Sequence, residues 1–163
     1  MKTDVITAGL NYVHLLSAGT LVGKVALLSF VVAPVLARQL DTESFGRVVR
    51  QLFPHYYAMG MLSASAGLIA LGGLAFLRGM TTTVAVGVGL WLSVLGAETY
   101  CRSPLTPQSN AMRDRLKALQ AEGAVDTRLH ISWERLHRRS IYLNTLVLLA
   151  GLVLVGCAMV ATH

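Results

Sequence analysis

The stretch that decides the fold is Leu136-His137-Arg138-Arg139-Ser140-Ile141-Tyr142-Leu143-Asn144. Here a basic segment passes, without a helix-breaking residue, into an apolar run that continues almost to the end of the chain. A helix that changes from basic to apolar in this way is typical of a boundary between water and membrane. Because residues three and four apart share a helix face, His137, Ser140 and Asn144 are predicted to lie on one side of this helix.

The composition indicates that lipid is the main solvent of the chain. Of its 163 residues 54% are hydrophobic and only 13% are charged, with a net charge of +6. A soluble domain carries roughly 25% charged residues. The basic residues flank apolar runs and are not interleaved with aromatic residues. They therefore indicate membrane topology, and no nucleic-acid partner is expected.

Four segments are long and apolar enough to cross a bilayer, since a span needs about 20 mostly apolar residues. They cover residues 5–37, 56–77, 82–100 and 141–162. The first lacks a clear small-residue cleavage site, and apolar sequence resumes beyond Lys24, so we expect a retained span and not a signal peptide. The sequence thus predicts one all-α membrane domain over residues 1–163, a bundle of four transmembrane helices in contact with the lipid bilayer.

The arginine and lysine residues predict how the bundle is oriented. Three of them follow the first span and eight follow the third, whereas the opposite side carries only Lys2 and Arg78. Basic loops remain in the cytoplasm. We therefore expect a bacterial-type inner (plasma) membrane, with residues 38–55 and 101–140 in the cytoplasm and both termini outside.

The first cytoplasmic connection is predicted to form an amphipathic helix. Over residues 41–53 the apolar side chains recur on one helix face, and Asp41 or Thr42 can cap the start. Such a helix lies in the headgroup layer with its apolar face down. Pro54 then predicts a sharp entry into the second span.

The second cytoplasmic connection is also predicted to be helical. It opens with residues 103–107, where two prolines predict a stiff turn. A helix is expected to start at Thr106 and Pro107 and to stop near Gly123. Asp126 is then expected to cap the long final helix.

Small residues predict where a span packs closely against a neighbour. A stripe with a four-residue period runs along the third span, formed by Ala85, Gly89, Ser93 and Ala97. Membrane helices associate through such residues because lipid tails are as apolar as leucine. The neighbour is either another span of the same chain or, in a homodimer or a complex, a second copy or a partner subunit.

Ionisable residues inside a span are costly and indicate function by default. His14 and Lys24 lie in the first span, and Glu98 lies near the end of the third. Snorkelling of the long side chains would close part of the difference in depth between Lys24 and Glu98, which allows direct contact without requiring it. Alternatively, Glu98 pairs with Arg102 or with His137.

A polar cluster is expected at the cytoplasmic ends of three spans. Its members are His55, Tyr56, Tyr57, Glu98, Tyr100, His137, Ser140 and Asn144. His14 and Lys24 in the first span are further candidates for a ligand site or polar pocket. One interpretation is a pocket for a metal, a haem or a small polar ligand. The other is a network of interhelical hydrogen bonds with interfacial aromatic residues.

The outer half of the bundle carries a different set of candidate ligands, namely His14, Met80, Cys157, Met159 and His163. Imidazole, thiolate and thioether groups suit Cu(I), and a single histidine can also ligate a haem. Phosphate-binding loops, nucleophile elbows, paired catalytic carboxylates and zinc-protease motifs do not occur. The sequence therefore favours a protein that is not an enzyme.

Four short motifs resemble the transmembrane-protein-205-like family of four-span membrane proteins. They are Val13-His14-Leu15-Leu16, Phe45-Gly46, the run from Leu52 to Tyr57 and His137-x-x-Ser140-x-x-x-Asn144. The resemblance implies a four-helix membrane bundle. The animal branch is associated with resistance to platinum compounds, which implies metal or drug handling. The chain is more distantly similar to copper-resistance-D-type membrane proteins, and that similarity centres on His14.

The sequence and the resemblance together predict a non-enzymatic membrane protein that supports metal or drug tolerance or transport. One alternative is a redox membrane protein that binds haem or copper. Another is an interaction subunit that assembles a membrane complex through the small-residue stripe.

Overall fold

The computed structural model describes residues 2–160, with side chains up to residue 158. All regular structure in these residues is helical. The helices are α1 (Lys2–Leu27), α2 (Ala33–Gln39), α3 (Thr42–Arg78), α4 (Thr82–Tyr100), α5 (Thr106–Ala121) and α6 (Thr127–Val160). π-Helical turns at Leu28–Val32 and Cys101–Leu105 join α1 to α2 and α4 to α5 without a break.

Four continuous helices are long and apolar enough to cross a membrane. They cover Lys2–Gln39, Thr42–Arg78, Thr82–Ala121 and Thr127–Ala158. Large apolar side chains project outward from them, as Ile69 and Phe76 do with 73% and 90% of their surface exposed. A contiguous apolar surface of this kind is typical of a protein that faces lipid. The predicted all-α bundle of four transmembrane helices is confirmed.

The amphipathic helix at residues 42–53 is present, but it is the first part of α3 and not a separate element. Asp41 caps it by accepting hydrogen bonds of 2.9 Å from the backbone N–H groups of Glu43 and Ser44. The bond from Ser44 is the largest cause of a lowered pKa at Asp41. Pro54 does not begin a new helix, because α3 runs through this residue. A proline inside a helix removes one backbone N–H donor and its ring crowds the carbonyl of the preceding turn, at a cost of about 3 kcal/mol, so packing in the bundle outweighs this local cost.

The second connection also departs from the expected turn. Residues 101–105 form a π-helical turn that leads directly into α5, and the Thr106 hydroxyl donates to the Cys101 carbonyl oxygen at 2.7 Å. The later boundaries are as predicted. Gly123 has a φ of 72°, just beyond the end of α5. The Asp126 carboxylate accepts a hydrogen bond of 3.0 Å from the backbone N–H of Leu129 in the first turn of α6.

Helix α5 is held against the first turns of α3. Arg50 and Asp114 form an exposed ion pair at 2.6 Å, and Lys117 and Glu43 approach to 3.4 Å. Arg113 lies against the buried Gly46 and donates to the Thr42 carbonyl oxygen at 2.9 Å. We call this side of the molecule the basic end, and the opposite side, where α1 begins and α3 ends, the terminal end.

The spans form a four-cornered bundle. α1 and α4 each pack against both α3 and α6, so α1 and α4 lie at opposite corners, as do α3 and α6. The side chains buried in the centre include Leu21, Tyr57, Trp91 and Leu154. The interior is therefore bounded by all four spans.

Glycines let α3 and α4 approach closely. A Cβ atom at Gly67 would overlap the Trp91 indole, and one at Gly60 would overlap the side chains of Lys24 and Glu98. Gly60 and Gly67 are seven residues apart on α3, as Trp91 and Glu98 are on α4. The two antiparallel helices thus repeat the same contact, a glycine on α3 facing a large side chain on α4, after two helical turns.

We expect Gly67→Ala to destabilise the bundle by about 1–3 kcal/mol, because the added methyl group forces Trp91 out of its place. Gly72→Ala is the matched control in the same helix, since its Cβ would meet no atom of the described residues within 4 Å. That variant should be neutral or slightly stabilising, by up to about 1 kcal/mol of helix propensity. Denaturant unfolding in detergent, followed by circular dichroism, measures both. Equal stability of the two variants would contradict the packing.

Candidate functional site

The interior face of α1 is unusually polar for a membrane span. Thr7, His14, Ser17 and Lys24 are all buried. Their spacing places them along one side of the helix, where they face the other spans and not lipid. Two of these residues, His14 and Lys24, contact α4 across the diagonal of the bundle.

His14 is held near the terminal end by Trp91. The indole Nε1 donates to the His14 Nδ1 at 3.1 Å, and the two rings meet edge to face. The backbone of Leu154 in α6 is a second hydrogen-bond partner of the imidazole. A neutral imidazole with an acceptor Nδ1 carries its proton on Nε2, so both ring nitrogens are engaged.

The predicted copper ligands are only partly brought together. His14 and Cys157 line one small cavity of about 20 Å³. Met80 lies exposed at the terminal end, while the Met159 side chain and His163 are outside the described residues. Among the residues described, no group of three or more His, Cys, Asp or Glu side chains could hold a metal. The copper site stays a prediction.

The surroundings of His14 do not fit a haem. The cavity beside it, of about 20 Å³, is far smaller than a porphyrin, so a haem would require the spans to separate. Ligation through Nδ1 would also displace the Trp91 indole. At the basic end, His137 is exposed and stacks on Trp133 with the ring centroids 5.7 Å apart.

Lys24 and Glu98 form a buried ion pair across the bundle. The Lys24 Nζ lies 2.6 Å from the Glu98 Oε1, and both side chains are 1% exposed. The ammonium also donates to the Tyr56 carbonyl oxygen at 3.3 Å and lies 4.0 Å from the centre of the Tyr56 ring. Glu98 therefore pairs with Lys24 and not with Arg102 or His137, which are both exposed.

Hydrogen bonds extend this pair to the remaining helices. The Tyr56 hydroxyl donates to the Asn144 Oδ1 at 2.9 Å, and the Tyr57 hydroxyl lies 3.3 Å from the Ser140 Oγ. The Asn144 Nδ2 in turn donates to the Ser140 carbonyl oxygen at 2.9 Å. We call Lys24, Tyr56, Tyr57, Glu98, Ser140 and Asn144 the polar junction. It joins all four spans close to one level.

One atom of the polar junction is unsatisfied. The Glu98 Oε2 is buried and has no hydrogen-bond partner among the described residues. A buried acceptor without a donor costs about 1–3 kcal/mol, and more when it is charged. The second carboxylate oxygen is thus available to a proton or to a passing donor.

The remaining members of the predicted cluster lie elsewhere. His55, Tyr100 and His137 are exposed and take no part in the polar junction. Two contributors were not anticipated, namely the buried thiol of Cys101 and Gly60, whose missing side chain leaves room for the ion pair. The seven-residue spacing of Gly60 and Gly67, matched by Trp91 and Glu98, was the signal that could have revealed Gly60.

The chain matches one known protein family. A family model described as "Domain of unknown function (DUF4149)" matches residues 16–117. The chain belongs to the DUF4149 family. The comparison with curated proteins found no match, and neither did the comparison with solved structures. The DUF4149 match does not support either of the narrower resemblances, to the transmembrane-protein-205-like family or to copper-resistance-D-type proteins.

The matched region contains much of the polar junction. Lys24, Tyr56, Tyr57 and Glu98 lie inside residues 16–117, whereas Ser140 and Asn144 lie beyond them. The ion pair and both tyrosines therefore belong to the DUF4149 part of the chain. The hydrogen bonds to α6 connect that part to the fourth span.

Three of the four residues in the small-residue stripe of this DUF4149 protein face outward. Ala85, Gly89 and Ser93 are exposed, Ala97 is half-buried against the core, and the buried face of α4 carries Trp91 and Glu98. A Cβ atom at Gly89 would meet no atom of the described residues within 4 Å. The expected contact with a second copy or a partner subunit stays a prediction.

We expect Glu98→Gln and Lys24→Met each to destabilise the DUF4149 protein by roughly 3–5 kcal/mol, because each leaves the other partner buried without its counter-charge. The double variant Lys24→Met/Glu98→Gln should cost much less than the sum of the two. Asp114→Asn is the control, since it breaks the exposed pair with Arg50 at a cost of about 0–1 kcal/mol. Unfolding free energies in detergent complete the double-mutant cycle, and additive single effects would show that the two charges are not coupled.

Proposed function

We propose that this DUF4149 protein is a non-enzymatic integral protein of the inner (plasma) membrane that supports transport of, or tolerance to, a metal ion or a drug. The observation that carries the proposal is the ion pair of Lys24 and Glu98, buried between the four spans. Ionisable residues in this position mark the pathways of ions, protons or substrates in membrane proteins.

Stability alone does not favour such a pair. A charged side chain costs about 2.5–3.5 kcal/mol at the centre of a span on insertion scales. Replacing a buried ion pair by apolar residues of similar volume is often neutral or stabilises a protein by about 1–4 kcal/mol. A bundle selected only for stability would therefore place apolar side chains at both positions. The presence of the charges favours a role in moving or sensing a solute.

The chemistry of the polar junction suits a cationic solute. Lys24 is a tethered cation held by a carboxylate, a backbone carbonyl and an aromatic face. A metal ion or a protonated amine would seek the same three kinds of partner. The unsatisfied Glu98 Oε2 offers a first contact before Lys24 is displaced. The hydroxyl groups of Tyr56 and Tyr57 continue the polar surface toward the basic end.

We expect the protein to raise the tolerance of a strain that lacks it to at least one of copper, silver, a platinum complex or a cationic dye. The double variant Lys24→Met/Glu98→Gln should be present in the membrane at wild-type level but confer no tolerance. It lacks both the carboxylate that would bind the cation and the ammonium that the cation would displace. Arg50→Gln/Asp114→Asn, which removes a charge pair of the same type from the surface, is the control and should retain tolerance. Growth at graded concentrations measures the effect. Full tolerance with the double variant would show that the pair is structural.

Two narrower functions can be tested separately. Copper binding would require His14 to exchange its hydrogen bond with Trp91 for a bond to the metal beside Cys157, with which it lines one cavity. The outward position of Gly89 favours assembly with another chain. The visible spectrum and copper content of the purified protein test the first. Oxidative crosslinking of a Gly89→Cys variant lacking the native cysteines tests the second. A colourless, copper-free preparation that still confers tolerance would exclude a redox role, and failure to crosslink would count against assembly through the stripe.

The proposed orientation places both termini outside and the basic end in the cytoplasm. In a cysteine-free background, Met80→Cys in the α3–α4 connection should react with a membrane-impermeant maleimide in intact cells. Ala124→Cys, between α5 and α6, should react only after the membrane is opened. Met80 and Ala124 form a matched pair, since each is exposed and directly follows a loop glycine with positive φ. The reverse labelling pattern would contradict the orientation.

A further inference from the structure

A second cavity lies at the terminal end, away from the polar junction. It has a volume of about 370 Å³ and is lined by Asp4, Thr7, Asn11, Tyr12, Leu15 and Arg78, among others. Small-molecule sites typically begin at about 300 Å³. We call this cavity the terminal pocket.

The terminal pocket is graded from charged to apolar. Asp4 in the first turn of α1 and Arg78 in the last turn of α3 place a carboxylate and a guanidinium in its wall. The buried Thr7 and the half-buried Asn11 follow along α1, and Leu15 comes last. From Asp4 to Leu15 the helix rises roughly 16 Å, which is the distance from the headgroup layer well into the acyl chains.

The terminal pocket is open to lipid on one side. Tyr12 and Leu15 belong to its wall and are 66% and 43% exposed on the outer surface of the bundle. A molecule already in the bilayer can therefore enter sideways. A solute from water would instead have to pass the charged rim.

We propose that the terminal pocket binds one phospholipid whose headgroup carries a phosphate and a primary ammonium, as phosphatidylethanolamine does. Arg78 would bind the phosphate, since guanidinium groups donate two parallel hydrogen bonds to phosphate oxygens. Asp4 would accept from the ammonium, and a carboxylate can accept from several donors at once, so other contacts of Asp4 do not prevent it. Leu15 and Tyr12 would contact the upper acyl chain. This site is independent of the function proposed above.

Charge complementarity distinguishes this headgroup from the other common ones. A choline headgroup has no N–H to donate to Asp4, and a glycerol headgroup has no cation. A pocket that contains both charges should therefore prefer ethanolamine over choline and glycerol when the acyl chains are identical. A purely apolar or purely basic pocket would not.

The test uses the full-length protein in mild detergent and native mass spectrometry. Phosphatidylethanolamine, phosphatidylcholine and phosphatidylglycerol with the same acyl chains are added in equal amounts. We expect the singly lipid-bound species to be enriched in phosphatidylethanolamine. Arg78→Gln should abolish the enrichment, and Asp4→Asn should remove the preference over phosphatidylglycerol.

Two further variants keep the test decisive. Arg38→Gln removes an exposed arginine near the end of α2, outside the terminal pocket, and should leave the enrichment unchanged. Thr7→Leu fills the pocket and should lower binding of every phospholipid. Equal binding of the three lipids to the wild type would overturn the proposal, as would equal losses in Arg78→Gln and Arg38→Gln. Preferred binding of phosphatidylglycerol would show a basic site in which Asp4 has no role.

Discussion

The attraction between Lys24 and Glu98 acts in a part of the bundle where neither charge can reach water. Coulomb attraction is strong in such surroundings, but each partner loses its hydration and must find replacement contacts in the protein. Lys24 finds them in the Tyr56 carbonyl and ring, and Gly60 provides the space in which the two charged groups meet. The positions of α1, α3 and α4 are therefore linked through this one contact.

The fourth span is tied to the same level by neutral groups. Tyr56 donates to Asn144 through its hydroxyl while its carbonyl accepts from Lys24, so one residue connects the ion pair to α6. Because hydrogen bonds in a low-dielectric interior polarise one another, the junction is expected to respond as a unit to a change at any one of its groups. A solute that displaced Lys24 would therefore alter contacts made by all four spans.

Much of the fold follows from patterns in the sequence, because hydrophobic length and capping act locally. The four spans, the end of α5 at Gly123 and the Asp126 cap are of this kind. The depth of Glu98 is harder to predict, because the apolar run of the third span ends at residue 100 whereas the helix continues to Ala121. Pro54 predicts a helix boundary, although α3 passes through it. His55 and His137 could not be excluded from the site because the sequence does not show which way each helix is rotated about its axis.

The ion pair also sets a condition on how the chain is made. Glu98 follows Lys24 by 74 residues, with the whole second span in between. At a synthesis rate of about 5–20 residues per second, roughly 4–15 seconds separate the appearance of the lysine from that of its partner. During this interval the first span cannot settle at its final depth without an unpaired ammonium in the bilayer. The first span can thus reach its final depth in the bilayer only after the third helix has been completed.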